Sequence, residues 1–295
     1  MGRYINPFTD VGFKRIFGQE LSKPLLLHFL NSLLEGERRI TNITLVDKEQ
    51  VGVYDEDRSL IYDILCETET QEKIIVEMQN REHPNFKERM LYYASQAIAR
   101  QGEKGSEWGY DIKAVYLVAF TNFTLSQVQE SFRIDIGVCD MRTGKLFTDK
   151  MRLIFLQLPL FTRDPDDCET DFERWIYVLK HMETLDRLPW AAKNSVFQKL
   201  AEIAEVSALS KEERIQYDHA LKKYRDTLLV IEGAEARAEA RGEARGEARG
   251  EARGEAKGRR LEKMDNARNL KSNGVPTEII ANSLGLTEEE VEEIQ

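Results

Sequence analysis

The sequence predicts an α/β core, a mixed sheet flanked by helices over residues 1–165, followed by an all-α C-terminal region. Two observations carry this. Up to about residue 165 helical and strand patterns alternate in the order helix, three strands, helix, strand, the pattern of a sheet with helices packed on it. From Asp166 onward the apolar spacing is helical throughout.

In "DVGFKRIF", Val11, Phe13, Ile16 and Phe17 recur at near-helical spacing. "SKPLLLHFLNSLLE" offers Ser22 as N-cap and Pro24 in the first turn, with Leu26, Phe29, Leu30, Leu33 and Leu34 as the buried face. "ITNITLVD", "RSLIYDILCETE" and "KIIVEMQ" read as strands, the last two joined by the hairpin-length "TETQEK". "FKERMLYYASQAIARQGEKG" reads as a helix ending near Gly102. "IKAVYLVAFTNF" reads as a strand buried on both faces, and "KLFTDKMRLIFLQLP" as one or two more. Three helical segments fill 166–232 as an extension packed on the core. A Glu-Ala-Arg-Gly repeat spans 233–260, and a small helical tail closes 261–295.

The 42 basic and 52 acidic side chains give a formal charge of −10, which argues against a protein that coats polyanions non-specifically. Cys66, Cys139 and Cys168 form no C-x-x-C pair, so neither a disulfide framework nor a zinc site is expected, and a reducing cytoplasm suits them. The opening residues lack the pattern of a signal peptide, and no apolar run is long enough to span a membrane.

Chemistry concentrates in the second and third strands. Side chains alternate along a strand, so Ile75, Glu77 and Gln79 share one face, as do Ile61, Asp63 and Leu65 on the strand before. Asp63 and Glu77 are carboxylates within apolar strands. Paired as a hairpin, the two come within reach of one ion. Two readings follow from spacing alone: both carboxylates face solvent, or both are buried and share a divalent cation, since an isolated buried carboxylate is costly.

The stretch "IYDILCETETQEKIIVEMQ" resembles the PD-(D/E)XK nuclease fold, in the form found in the Rpn family of recombination-promoting nucleases and transposases. The resemblance extends to "NPFTDVGFKRIFG", to "FKERMLYYASQAIARQGEKGSEWGYDIKAVYLVAFTNF" and to the helical segments up to about residue 230. It implies a restriction-endonuclease-like core and a Mg²⁺-dependent (or Mn²⁺-dependent) DNA endonuclease, associated with recombination, mobile elements or defence. Asp63 and Glu77 would be metal ligands and the Met78 backbone carbonyl a third. Gln79 takes the place of the motif lysine. It can orient water but carries no charge to stabilise negative charge developing in the reaction. That substitution keeps open a second reading, a nuclease-fold protein with little or no catalysis that serves as a DNA-binding or assembly module.

Further candidates have two readings each. Asp10 is an acidic residue reaching the metal or a helix-start carboxylate favoured by the helix dipole. Lys14 contacts phosphate or is solvated. Glu67 supports the site or faces solvent. Arg89, Tyr93 and Gln96 lie on neighbouring turns of one helix, which by the resemblance flanks the site, so that Arg89 and Gln96 touch the scissile phosphate or orient a ligand; the other reading is aromatic packing with a solvated arginine.

In the tail, Ala267, Leu270, Val275, Ile279, Ile280, Leu284, Leu286, Val291 and Ile294 suit a small helix-turn-helix-like core, with Gly274 and Gly285 ending helices and a Thr287–Glu290 capping box. Five glutamates on its last helix oppose major-groove reading and favour a protein contact. From Glu235 to Lys257 the repeat carries six acids and six bases, so it fails as an electrostatic clamp for nucleic acid. Each of its glycines costs about 1 kcal/mol in a helix, and its i,i+4 neighbours are like-charged. It reads as a marginally helical spacer that can self-pair, giving a homo-oligomer through repeat and tail.

Overall fold

The computed structural model describes residues 2–47, 49–50, 60–102, 109–126 and 131–294. Its contacts divide the chain into two compact units, Met1–Thr227 and Leu228–Gln295.

The first unit is built on a six-stranded mixed sheet. Its strands are β1 (Ile43–Val46), β4 (Ile64–Thr68), β5 (Lys73–Gln79), β6 (Val115–Thr121), β7 (Arg133–Cys139) and β8 (Leu146–Gln157), in the order β1-β4-β5-β6-β8-β7. A separate two-stranded pair joins β2 (Glu49–Gln50) to β3 (Leu60–Ile61). The β4–β5 hairpin is antiparallel with Ile64 opposite Val76, while β5, β6 and β8 run parallel. Helices α1 (Asp10–Phe17), α2 (Lys23–Leu33), α4 (Asp171–His181) and α5 (Ser195–Ala204) cover one face, and α3 (Phe86–Ala99) covers the other. Alternation along β5 divides its side chains between these layers: Ile74, Val76 and Met78 toward the first, Ile75 toward α3.

The change of period at Asp166 marks a change of local structure and not of packing unit. Trp175 of α4 is fully buried among Phe17, Phe29 and Phe197, with ring centroids 5.6, 6.1 and 5.2 Å away, and its indole N–H donates to His28 Nδ1 at 2.9 Å. Trp175→Ala is expected to cost about 3–5 kcal/mol, from lost burial and a residual cavity. Chemical denaturation of the two chains measures it.

Helix α1 is held over the carboxyl end of β5. Thr9 Oγ1 accepts from the Gly12 N–H at 2.9 Å, and the Asn80 amide donates to the Phe8 carbonyl at 2.8 Å. Gly12 is required by close approach: a Cβ there would lie 2.1 Å from the Asn6 carbonyl oxygen.

Several expectations are corrected. The strand expected across "RSLIYDILCETE" is broken. Its Arg58 and Ser59 lie outside the described residues, β3 ends at Ile61, and Asp63 sits in a bend before β4. The cause is a contact across the hairpin, because the Asp63 carboxylate takes the Met78 N–H at 2.9 Å where a backbone oxygen would otherwise pair. Ser22 precedes α2 without capping it; its hydroxyl bonds back to Gln19 in a short 3₁₀ turn. Strand β7 was not expected from the sequence. It is the exposed edge of the sheet, and the alternation of Ile134, Ile136 and Val138 with Arg133, Asp135 and Gly137 was the available signal.

The second unit takes in the end of α6 (Lys211–Ser272), α7 (Thr277–Leu284) and α8 (Glu288–Glu292). The repeat lies within α6, and a Cβ at Gly242, Gly246, Gly250, Gly254 or Gly258 would meet nothing within 4 Å. The tail core gathers Ala267, Ile280, Ala281, Val291 and Ile294, closed by the Thr287–Glu290 capping box. Ile279, expected inside, is exposed; neighbouring Ile280 takes the inward position on α7. The Lys271 ammonium donates to the Val291, Glu292 and Ile294 carbonyls at 3.1, 3.0 and 2.8 Å, satisfying the free end of α8.

Candidate active site

The structure brings Asp63 and Glu77 together where β5 ends and the chain bends into β4. Glu77 is 2% exposed on the face of β5 that meets α3. Its Oε1 accepts from the Asp63 backbone N–H at 3.2 Å, while Asp63 Oδ2 accepts from the Met78 N–H at 2.9 Å. Each carboxylate is therefore fixed by the other residue's strand. Both are pushed toward the protonated form. Burial raises Glu77 to about 8, and the Asp63 charge beside it adds to the effect. Asp63 is also raised, mainly by burial, against the opposing Met78 N–H and the Lys14 charge. Two like charges this close need a shared proton or a shared cation.

Gln79 continues the network. Its amide nitrogen donates to Glu77 Oε2 at 3.2 Å, and its oxygen accepts from Arg89 Nη2 at 2.6 Å. Arginine can only donate, so the amide has one possible orientation, oxygen toward α3 and nitrogen toward Glu77. Arg89 lies against the Phe86 ring at 5.9 Å, and its Nε is buried with no hydrogen-bond partner among the described residues. Its charge lowers the pKa of both carboxyls, against the larger effect of burial.

The other candidates separate. Asp10 and Lys14 form an ion pair on α1, and both are felt at Asp63. Tyr93 packs edge-on to Tyr62 with centroids 5.3 Å apart; burial, then the Glu77 charge, raises its phenol pKa. Gln96 sits half-buried further along α3, where its carbonyl accepts the Arg100 N–H at 3.0 Å. Glu67 is not brought to the pair. It lies opposite Lys73 at the far end of the hairpin and is ion-paired with it.

A family model described as PD-(D/E)XK nuclease family transposase matches residues 7–234. The chain belongs to this family. No curated protein and no solved structure matches it. The match covers the whole sheet together with α1 to α5, and it agrees with the Rpn resemblance seen in the sequence. Both residues of the buried pair lie within the matched span, and Glu77 sits near the carboxyl end of β5, which runs parallel to β6.

Sequence reasoning missed two parts of the arrangement around this pair. The first is the contact between Arg89 and Gln79, ten residues apart and on different elements. The second is Asn80, whose amide oxygen is buried with no partner among the described residues while its nitrogen ties down Phe8. An asparagine directly after "EMQ" was the available signal.

PD-(D/E)XK nucleases generally use divalent metal ions. Among the described residues no group of three or more His, Cys, Asp or Glu side chains is placed to hold one. The donors offered at this site are the two carboxylates Asp63 and Glu77, oxygen ligands of the kind hard divalent cations take. No helix among the described residues is long and apolar enough to cross a membrane.

Proposed function

We propose that this nuclease-family chain is a Mg²⁺-dependent DNA endonuclease, with Mn²⁺ as a substitute ion, acting in recombination or in mobile-element or defence biology. Asp63, Glu77 and the Met78 carbonyl would hold the metal. The observation that carries the reading is the buried carboxylate pair, locked by reciprocal backbone hydrogen bonds and held short of full ionisation. Such a pair is unfavourable alone and favourable around a divalent cation. When bound, the ion would stabilise charge on the phosphate and sharpen a water nucleophile.

The chain's own residues divide the remaining work. Gln79 orients water through its amide nitrogen. The charge absent at Gln79 is supplied one hydrogen bond away by the Arg89 guanidinium. Lys14, whose charge is felt at Asp63, offers a cation for a backbone phosphate, which a chain of net charge −10 must concentrate locally. Asp10 and Tyr93 border the same region.

Plasmid nicking with Mg²⁺, with EDTA, and with the Asp63→Ala chain in Mg²⁺ tests the reading. Nicking is expected only for the wild-type chain in Mg²⁺. Equal nicking in all three samples would overturn it, and metal binding without nicking would favour the binding or assembly role. A finer test concerns the displaced charge. Arg89→Ala is expected to slow cleavage by roughly 10²-fold, the size of loss typical for one charge-stabilising donor. Adding Gln79→Lys to that variant is expected to recover part of the rate, measured by the same assay.

A further inference from the structure

Strand β7 is the edge of the sheet, and its outer side carries no described neighbour. Exposed edges are usually blunted by lysine, proline, shortness or a bulge in the edge strand itself. The opposite edge, β1, is only four residues long. β7 has seven residues, "RIDIGVC", with no lysine or proline. Its register shifts against β8 fall between Gly137 and Cys139, and the extra residues are on β8, so β7 remains regular. Its two charges are already neutralised, since Arg133 and Asp135 are ion-paired to each other and to Glu37 and Arg152.

Exposed apolar side chains concentrate on this ribbon. Ile136 and Val138 are exposed on β7, and beyond them Met141 (98% exposed), Leu146 and Phe147 (81% exposed) line the hairpin into β8. This arm extends past the sheet, because β8 meets β6 only from Met151 onward. It leaves from the amino end of β8, opposite the carboxyl ends where Glu77 and Gln79 sit. A partner here would leave the carboxylate pair open.

The pattern of β7 also selects the partner. Antiparallel self-pairing centred on Ile136 sets Ile136 against the partner's Ile136, and Ile134 against the partner's Val138. One apolar stripe, Ile134-Ile136-Val138, then meets itself in reverse, and cross-strand β-branched pairs stabilise a sheet. The same register puts Asp135 opposite the partner's Gly137 and Arg133 opposite the partner's Cys139, so no like charges face each other. A shift of one residue along the strand would destroy this match.

We propose that β7 is a homodimer interface, in which two copies of the chain pair their β7 edges antiparallel about a two-fold axis at Ile136. The two sheets then join into one of twelve strands, with the carboxylate pairs outside the contact.

Cysteine crosslinking of the full chain tests both the contact and its register. In a Cys139→Ser background, Ile136→Cys places two thiols across the axis. Opposed Cα atoms in an antiparallel pair lie about 4.5–5.5 Å apart, within the reach of about 4.4–6.8 Å for a disulfide. Met141→Cys in the same background is the exposed control and sits away from the axis. The expected result is a disulfide-linked dimer forming at least about tenfold faster at Ile136→Cys, because pairing raises the effective thiol concentration. A mixture of Ile134→Cys and Val138→Cys chains is expected to give the heterodimer in preference to either homodimer. Equal crosslinking at Ile136→Cys and Met141→Cys, or no crosslinking at Ile136→Cys in a chain with native circular dichroism, would overturn the proposal.

Discussion

Glu77→Gln is expected to lower metal-dependent cleavage by about 10³-fold or more while the protein stays folded. The substitution keeps shape and hydrogen-bonding reach but removes one of the two charges that would hold the ion. Lewis-acid stabilisation is worth several kcal/mol, and about 4 kcal/mol corresponds to a thousandfold in rate. The same change is expected to stabilise the metal-free protein near neutral pH, because a neutral amide replaces a carboxyl that burial keeps from ionising freely. Asp63→Asn is expected to behave similarly in rate and less so in stability, since Asp63 is less buried and its Oδ2 still needs to accept the Met78 N–H. Calorimetry with Mg²⁺ and nicking rates on the same preparations check both. Wild-type rates in Glu77→Gln would show that the pair is not the reactive centre.

The second large effect is on stability as a function of pH in EDTA. The folded protein holds Glu77 near 8, against an ordinary value of 4.5. A raised carboxyl pKa means that the folded state binds the proton more tightly than the unfolded state. The associated stability is fully present below 4.5 and is lost as pH rises through about 8. Each pH unit inside that window is worth about 1.4 kcal/mol per proton. Between pH 5 and pH 8 a loss of a few kcal/mol is expected, which lowers Tm by roughly 5–10 °C in a unit of this size. Asp63 shifts in the same direction, so it does not cancel the slope. Mg²⁺ is expected to restore the lost stability by taking the proton's place, and Glu77→Gln to flatten the profile. Parallel wild-type and Glu77→Gln profiles in EDTA would refute the linkage.

Much of this arrangement is legible in the chain because it depends on local periodicity. The strand "KIIVEMQ" places Glu77 and Gln79 on one face by alternation alone. The helix "FKERMLYYASQAIA" is marked by its apolar spacing, and the tail reveals its caps in Thr287, Glu290 and Gly285. Edge strand β7 was missed although Ile134, Ile136 and Val138 recur at period two, because burial reaches only its first residues and the stretch carries no dense apolar run. The break at Asp63 was not legible either. It arises from a side chain taking the Met78 N–H, fifteen residues away in sequence.

The sequence by itself determined the alternation of helix and strand, the carboxylate spacing that permits a shared ion, and a neutral repeat compatible with a helix. Tertiary structure alone decided that Asp63 and Glu77 are locked together at the end of β5, and that Arg89 donates to the Gln79 amide oxygen. It also decided that Glu67 belongs to an ion pair at the other end of the hairpin. The physical reason is range: periodicity fixes which face a residue occupies within its own element, but packing sets which faces meet. The pKa of Glu77 and the orientation of the Gln79 amide exist only once those faces are in contact.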